Sequence, residues 1–170
     1  MPGTESCRLM HQALIFSWDT VNVSMGGGGA WNCNSQKDTW WGCARNLSKA
    51  PCAGYGRPHC IMFSNVTGVT VANLAVSNSP DWTMHFSSVT GLHVHHNNIS
   101  NPQELNADGI DIDSTQDALV EDNHLSVGDD ALCVKSGVGY FGRAYGRPAK
   151  DILFRRNTIG AGNGITSPRR

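Results

Sequence analysis

The chain has 170 residues, of which 39% are hydrophobic and 16% are charged, and its formal net charge at pH 7 is −1. This composition suits one domain with one core and argues against a protein that binds nucleic acid through a basic surface. No apolar run approaches the roughly 18–20 residues that span a bilayer, and residues 14–16 are too short for a signal-peptide core. We therefore expect neither a nucleic acid nor a membrane as a partner.

Residues 1–56 carry only weak strand signals, and we expect them to form an irregular approach to the fold. Four evenly spaced cysteines in and just after this region do not have the spacing of paired zinc knuckles: Cys33, Cys43, Cys52 and Cys60. We expect disulfides in an oxidising compartment, with three connectivities open, and no metal site.

A repeat begins further along the chain. Four six-residue segments start and end with an apolar residue: 71–76, 94–99, 120–125 and 154–159. The last three have Asn in the fourth place, where the first has Leu74, and the intervals between their first residues are 23, 26 and 34. A period in the twenties with loop insertions is typical of a solenoid.

A second set of strands keeps the same register. Residues 108–113 align with 130–135, and the two inward columns are predicted to contain Met84, Phe86, Ile110, Ile112, Leu132, Val134 and Ile165. Period-two alternation and short turns rich in Gly, Asn, Ser and Pro favour strands over helices. The sequence therefore predicts an all-β fold, a parallel β-helix of about four coils over residues 57–170.

Two acidic clusters lie one repeat apart, because Asp108 and Asp130 are 22 residues from each other. Strands in a sheet are about 4.7–4.9 Å apart, so Asp108, Asp129 and Asp130 would form one patch in which at least one carboxyl pKa rises. A turn or bulge at Gly128 is needed to bring both later aspartates to one side. A pair of Asp residues alone is typical of a turn, because Asp side chains hydrogen-bond to the nearby backbone. The predicted stacking of three carboxylates on neighbouring rungs instead indicates an active site.

The residues of these clusters resemble known motifs. Residues 106–111 (NADGID) and 128–137 (GDDALCVKSG) are similar to the paired motifs of the polygalacturonases, glycoside hydrolase family 28, with Ala107 in place of the usual Thr. The resemblance extends from about residue 56 to 165 and includes residues 57–58, 78–82 and 146–148.

The resemblance implies a right-handed parallel β-helix that hydrolyses α-1,4-galacturonosyl linkages of pectin with inversion. Asp129 would be the general acid, and Asp108 and Asp130 would activate the attacking water. Asn106, Lys135 and Asn163 are candidate substrate-binding residues, although the register also allows Lys135 to pair with Asp113. The implied protein is a secreted or cell-wall monomer that needs no cofactor and has pectin as its partner.

Two departures from the family pattern keep an alternative open. Asn163 stands where the family has the His of a Gly-His-Gly motif, and the later Arg-Ile-Lys motif is absent because the chain stops at Arg170. We therefore expect a fragment, truncated at its C-terminal side. The alternative is a catalytically impaired, pectin-binding β-helix. A polysaccharide lyase, which would need calcium and a basic proton acceptor, is a more distant possibility.

Overall fold

A computed structural model describes residues 9–102 and 105–167. Successive groups of three strands wind into coils in this part of the chain. The first two coils are β1 (Ile15–Trp18), β2 (Val21–Met25) and β3 (Ala30–Asn32), then β4 (Ile61–Ser64), β5 (Thr67–Ala72) and β6 (Ala75–Ser77). The next two are β7 (Met84–Ser87), β8 (Thr90–His95) and β9 (Asn98–Asn101), then β10 (Ile110–Asp113), β11 (Gln116–Glu121) and β12 (His124–Val127).

The last coil has a helical insertion. It contains β13 (Leu132–Lys135), helix α1 (Gly139–Tyr145), β14 (Lys150–Arg155) and β15 (Thr158–Ala161), and β16 (Ile165–Thr166) begins another turn. A 3₁₀ helix, Trp40–Cys43, lies in the long connection between the first two coils. The described residues include no helix that is long and apolar enough to cross a membrane.

Each position in the coil forms its own parallel sheet. The first sheet has the order β1-β4-β7-β10-β13-β16, the second β14-β11-β8-β5-β2 and the third β15-β12-β9-β6-β3. Sheets in which every strand pairs in parallel with the equivalent strand of the next coil define a parallel β-helix, so the predicted fold class is confirmed.

The predicted register of the first sheet is also confirmed. Ile110 pairs with Met84 on one side and Leu132 on the other, and Leu132 pairs with Ile165. Met84, Ile110 and Leu132 have no exposed surface, because alternate residues of every strand point into the coil and stack on their equivalents. The core is thus a set of apolar columns that run along the helix axis.

The repeated Asn forms a ladder at one corner of the coil. Asn97 donates its amide to Asn123 Oδ1 at 3.0 Å, and Asn123 donates to Asn157 Oδ1 at 2.9 Å. The backbone N–H of Leu74, which occupies the same place in the earlier repeat, donates to Asn97 Oδ1 at 3.1 Å. The ladder satisfies buried backbone groups at a turn, and an unpaired buried polar group costs about 1–3 kcal/mol.

The N-terminal region is more regular than the sequence suggested. Residues 15–32 form a complete first coil, in which Ile15 pairs with Ile61 and Val23 pairs with Val69. The part of residues 57–170 that the structure describes contains four complete coils and the start of a fifth, as predicted, and residues 15–32 add one more coil before them. A long irregular segment separates β3 from β4. The prediction for residues 1–8 lies outside the described part of the chain.

Two disulfides hold that connection. Cys33 is bonded to Cys60 and Cys43 to Cys52, which selects one of the three connectivities that the sequence left open. Cys133 is a free, buried thiol of the first sheet, and burial raises its pKa to about 12. It is therefore packed within the protein and is not a reactive surface thiol.

Candidate active site

The acidic residues lie in the connections that lead into the first sheet. Asp129 and Asp130 belong to the bend between β12 and β13, and Asp108 is in the equivalent position before β10. The backbone N–H of Gly109 donates to Asp130 O at 2.9 Å, so the two connections continue the strand ladder. The bend at Gly128 that the sequence required is present, and it frees Asp129 and Asp130 from strict strand alternation.

Gly109 allows the two acidic connections to approach each other closely. A Cβ at this position would lie 2.5 Å from Ala131 O and 2.7 Å from Leu125 Cδ2. Any side chain would therefore push the coil of Asp108 away from the coil of Asp130. The glycine that follows Asp108 is explained by this backbone contact.

The three predicted catalytic carboxylates line one pocket of about 310 Å³. The residues around it come from four successive rungs: Trp82, Asn106, Asp108, Asp129, Asp130, Lys135, Thr166 and Ser167. The pocket brings together Asp108, Asp129, Asp130, Asn106 and Lys135, as the sequence predicted. Asn163 does not line it but contacts one of its carboxylates.

Asp129 is held from two sides. Its Oδ1 accepts a hydrogen bond from the side-chain amide of Asn163 at 2.9 Å, and its Oδ2 accepts one from the backbone N–H of Asn106 at 3.2 Å. These donors come from the following and the preceding coil, so they fix the carboxylate between two rungs. The side chain of Asn106 itself accepts a hydrogen bond from Arg57 at 2.9 Å.

Asp130 has a different partner. The hydroxyl of Thr166, on β16, donates to Asp130 Oδ2 at 2.6 Å. Thr166 pairs with Cys133 across the sheet, one rung after the acidic bend. The two neighbouring carboxylates are therefore oriented by separate donors, Asn163 for Asp129 and Thr166 for Asp130.

Asp108 lies deeper than the other two and is only 4% exposed. Lys135 Nζ is 3.6 Å from Asp108 Oδ2 and forms a short contact with Asp111 Oδ1. The ion pair that the register had suggested with Asp113 is therefore made with Asp111 and Asp108. Lys135 is itself 5% exposed, and its cation is positioned to stabilise negative charge on Asp108.

Aromatic rings cover this buried cation. Lys135 Nζ is 3.5 Å from the centre of the Trp82 ring, a cation–π geometry. His59 stacks on Trp82 with ring centres 4.9 Å apart, and His85 meets both rings edge-on. Burial, with help from Lys135 and Arg57, lowers the pKa of His59 to about 3, and burial lowers the pKa of His85 well below its usual value.

Two further acids beneath the pocket have altered pKa values. Burial raises the pKa of Asp81 to about 7, although Arg57, 3.2 Å away, opposes the rise. Burial likewise raises the pKa of Asp111 well above its usual value, against the effect of Lys135. Perturbed acids around a pocket are typical of functional sites.

Arg57 ties together the segments that carry the site. It is 4% exposed and donates to Pro80 O at 2.7 Å and to Leu105 O at 3.1 Å, in addition to Asn106. The connection that holds Asn106, whose backbone N–H donates to Asp129, is thus anchored to the segment before β4, two rungs earlier in the first sheet. Removing this buried cation would release both Asn106 and Asp81.

Several of these residues received no role in the sequence analysis. Trp82 and Arg57 occur in the segments that carry the resemblance, but nothing in their spacing shows that one lines the pocket and the other supports it. Thr166 could have been found, since placing Ile165 over Leu132 also places Thr166 over Cys133. The ion pair of Asp111 with Lys135 could not be found from the sequence, since it depends on the burial of both side chains.

Comparison with known proteins agrees with this geometry. The family model "Glycosyl hydrolases family 28" matches residues 6–167. A probable polygalacturonase of Vitis vinifera is 29% identical over 157 residues, which cover 92% of this chain and 31% of that protein. An endo-polygalacturonase of Pectobacterium carotovorum subsp. carotovorum is 27% identical over 141 residues, 82% of this chain and 33% of that protein. The chain thus spans about a third of these relatives.

Solved structures share the fold. An exopolygalacturonase from Thermotoga maritima superimposes with a TM-score of 0.84 at 23% identity, over 99% of this chain and 46% of that one. A polygalacturonase from Erwinia carotovora ssp. carotovora gives 0.77 at 20% identity, over 96% and 46%. These structures show the same fold, and the family model that matches residues 6–167 shows that the chain belongs to glycosyl hydrolases family 28.

Proposed function

We propose that the acidic pocket hydrolyses α-1,4-galacturonosyl linkages of pectin or polygalacturonate with inversion at the anomeric carbon. The observation that carries the proposal is that Asp108, Asp129 and Asp130 line one pocket although they come from two coils. Inverting glycosidases need an acid and a base about 6.5–9.5 Å apart, with a water between the base and the sugar. Neighbouring strands are about 4.7–4.9 Å apart, so this spacing requires the side chains of the acid and the base to diverge across the pocket.

The contacts of each carboxylate suggest its role. Asp129 is more exposed than Asp108, so it can reach the glycosidic oxygen as the general acid, and the N–H groups of Asn106 and Asn163 fix its orientation. Asp108 lies beside the Lys135 cation, which favours the charged form that a base needs. Asp130, fixed by Thr166, would share the task of orienting the water.

The proposal includes the setting in which the protein acts. The two disulfides support an oxidising, extracellular or cell-wall location. The partner is the pectin polysaccharide itself, and the protein would act as a monomer without a cofactor. Asn106 and Lys135 would support the pocket through Asp129 and Asp108 in addition to any contact with the sugar.

A pectin-binding protein with impaired catalysis is the second candidate, and one contact favours it. Asn163 occupies the place of the family's His and donates to Asp129 Oδ1. An amide can orient a carboxylate but cannot exchange a proton near neutral pH. The acidic pocket would then hold the polysaccharide while hydrolysis is slow.

An assay of reducing ends released from polygalacturonate tests the proposal. We expect release by the chain, a loss of at least a hundredfold in Asp129→Asn, since positioned acids contribute about 10²–10⁴-fold, and no loss in Asp117→Asn. Asp117 is an exposed residue of β11 in the second sheet and serves as the matched control. No release by the chain, with retained binding and with release restored by Asn163→His, would favour the second candidate.

A further inference from the structure

A second pocket adjoins the acidic one. It has a volume of about 480 Å³, and its lining residues are Lys37, Trp41, Gly42, Ala44, Arg45, Pro102, Leu105 and Gly128. We call it the basic groove. Leu105 and Gly128 directly precede Asn106 and Asp129, which line the acidic pocket. A polymer lying across the acidic pocket can therefore continue into the groove.

The outer wall of the groove is a braced part of the connection between β3 and β4. The 3₁₀ helix Trp40–Cys43 is joined to Cys52 by a disulfide, and Trp41 Nε1 donates to Ser79 O at 2.8 Å. The backbone of Lys37 packs closely against Gly42, where a Cβ would lie 2.3 Å from Lys37 O. The wall is thus fixed to the next coil and is not a loose surface loop.

The charge of the groove is opposite to that of the acidic pocket. Lys37 and Arg45 are both exposed, and no carboxylate occurs among the described residues that line the groove. The structure gives neither cation an ion pair with a described residue. Two solvated cations beside a partly buried tryptophan form a suitable site for an anionic sugar, since an Arg can bind a carboxylate through two parallel hydrogen bonds.

We propose that the basic groove is a subsite for a galacturonate residue next to the scissile linkage, with Lys37 and Arg45 binding its carboxylate. This inference rests on the proposed function and adds a determinant of substrate recognition to it. The three carboxylates of the acidic pocket repel a polyanionic substrate, so cations close to them are needed to hold the chain in place. Trp41 provides the apolar wall against which the sugar ring lies.

Binding of defined oligogalacturonates by calorimetry tests the subsite. The double variant Lys37→Gln with Arg45→Gln should bind tetragalacturonate about tenfold more weakly than the unaltered chain, and the loss should shrink as salt is added. The matched control, Lys49→Gln with Lys150→Gln, removes the same charge from positions that do not line the groove. It should bind as the unaltered chain does.

The expected pattern also depends on substrate length and charge. Affinity of the unaltered chain should rise from digalacturonate to tetragalacturonate, and the groove variant should lose most of this rise while keeping its thermal stability. Equal tetragalacturonate affinity in the groove variant and the control would overturn the subsite, even if Asp129→Asn confirms the hydrolase. An unaltered chain that binds no oligogalacturonate would overturn both proposals.

Discussion

Replacing Lys135 with Met removes a buried cation from beneath the carboxylates that we propose to be catalytic. Methionine keeps most of the side-chain volume, so the change isolates the charge. Lys135 is 5% exposed, contacts Asp111 and lies 3.6 Å from Asp108 Oδ2. Removing one member of a buried ion pair costs about 3–5 kcal/mol, because the other charge stays buried and uncompensated. We expect a loss of this size in the free energy of unfolding at pH 7.

The loss should depend on pH in a direction that the structure sets. Burial already raises the pKa of Asp111 above its usual value, and loss of Lys135 raises it further. An acid with a raised pKa in the folded state destabilises the fold at high pH and ceases to do so as the pH falls and it is protonated. The stability deficit of Lys135→Met should therefore shrink by up to about 1.4 kcal/mol per pH unit on acidification.

A double-mutant cycle with Asp111→Asn measures the interaction itself. Urea unfolding followed by circular dichroism at pH 7 and pH 5 gives the four free energies. We expect the double variant to be at least about 2 kcal/mol more stable than the sum of the single changes implies, since neither charge is then left alone. Additive effects, or a cost below about 1 kcal/mol for Lys135→Met, would show that Lys135 is not the buried counter-ion.

Three further changes test other parts of the structure. Asn163→Ala should lower kcat on polygalacturonate about tenfold with little change in KM, since it removes a donor to Asp129. Asn163→His should not show this loss, and an unchanged kcat in Asn163→Ala would refute the role of Asn163. The pKa of His59 is lowered from 6.5 to about 3 in the folded protein. Below pH 6.5 the unfolded chain therefore binds a proton at His59 that the folded protein does not, and the contribution of neutral His59 to the free energy of unfolding is lost as the pH falls towards 3. In urea titrations, the difference in free energy of unfolding between His59→Gln and the unaltered chain should therefore decrease by about 1.4 kcal/mol per pH unit below pH 6. Free energies of unfolding that change in parallel with pH in the two proteins would contradict this. Replacing Cys33 and Cys60 with Ser should cost about 3–4 kcal/mol of unfolding free energy, given their separation of 27 residues; a loss below about 1 kcal/mol would argue against the bond.

The inward columns could be predicted from the sequence because each rung imposes the same constraint. Only apolar residues fit inside the coil, so the spacing of Met84, Ile110 and Leu132 sets the register of every neighbouring residue. That register in turn placed Asp108 one rung from Asp130. The bend at Gly128 followed from the need to bring Asp129 to the same side.

Long side chains and local stacking account for what the sequence did not reveal. Register places Lys135 beside Asp113, but a four-carbon stem reaches along the sheet to Asp111, and burial decides which acid it meets. The first coil was missed because β3 has three residues, all of them exposed. Its strands gain their regularity by pairing with the second coil, a tertiary effect that local propensity does not show.

The anomeric form of the first product released from polygalacturonate tests the account most directly. Proton NMR recorded before mutarotation distinguishes the two anomers of the new reducing end. We expect the β-anomer to form first from the α-linkage, because water attacks opposite the leaving group, and we expect its signal to disappear in Asp129→Asn. Initial formation of the α-anomer, or of an unsaturated product, would contradict an inverting hydrolase built on Asp108, Asp129 and Asp130.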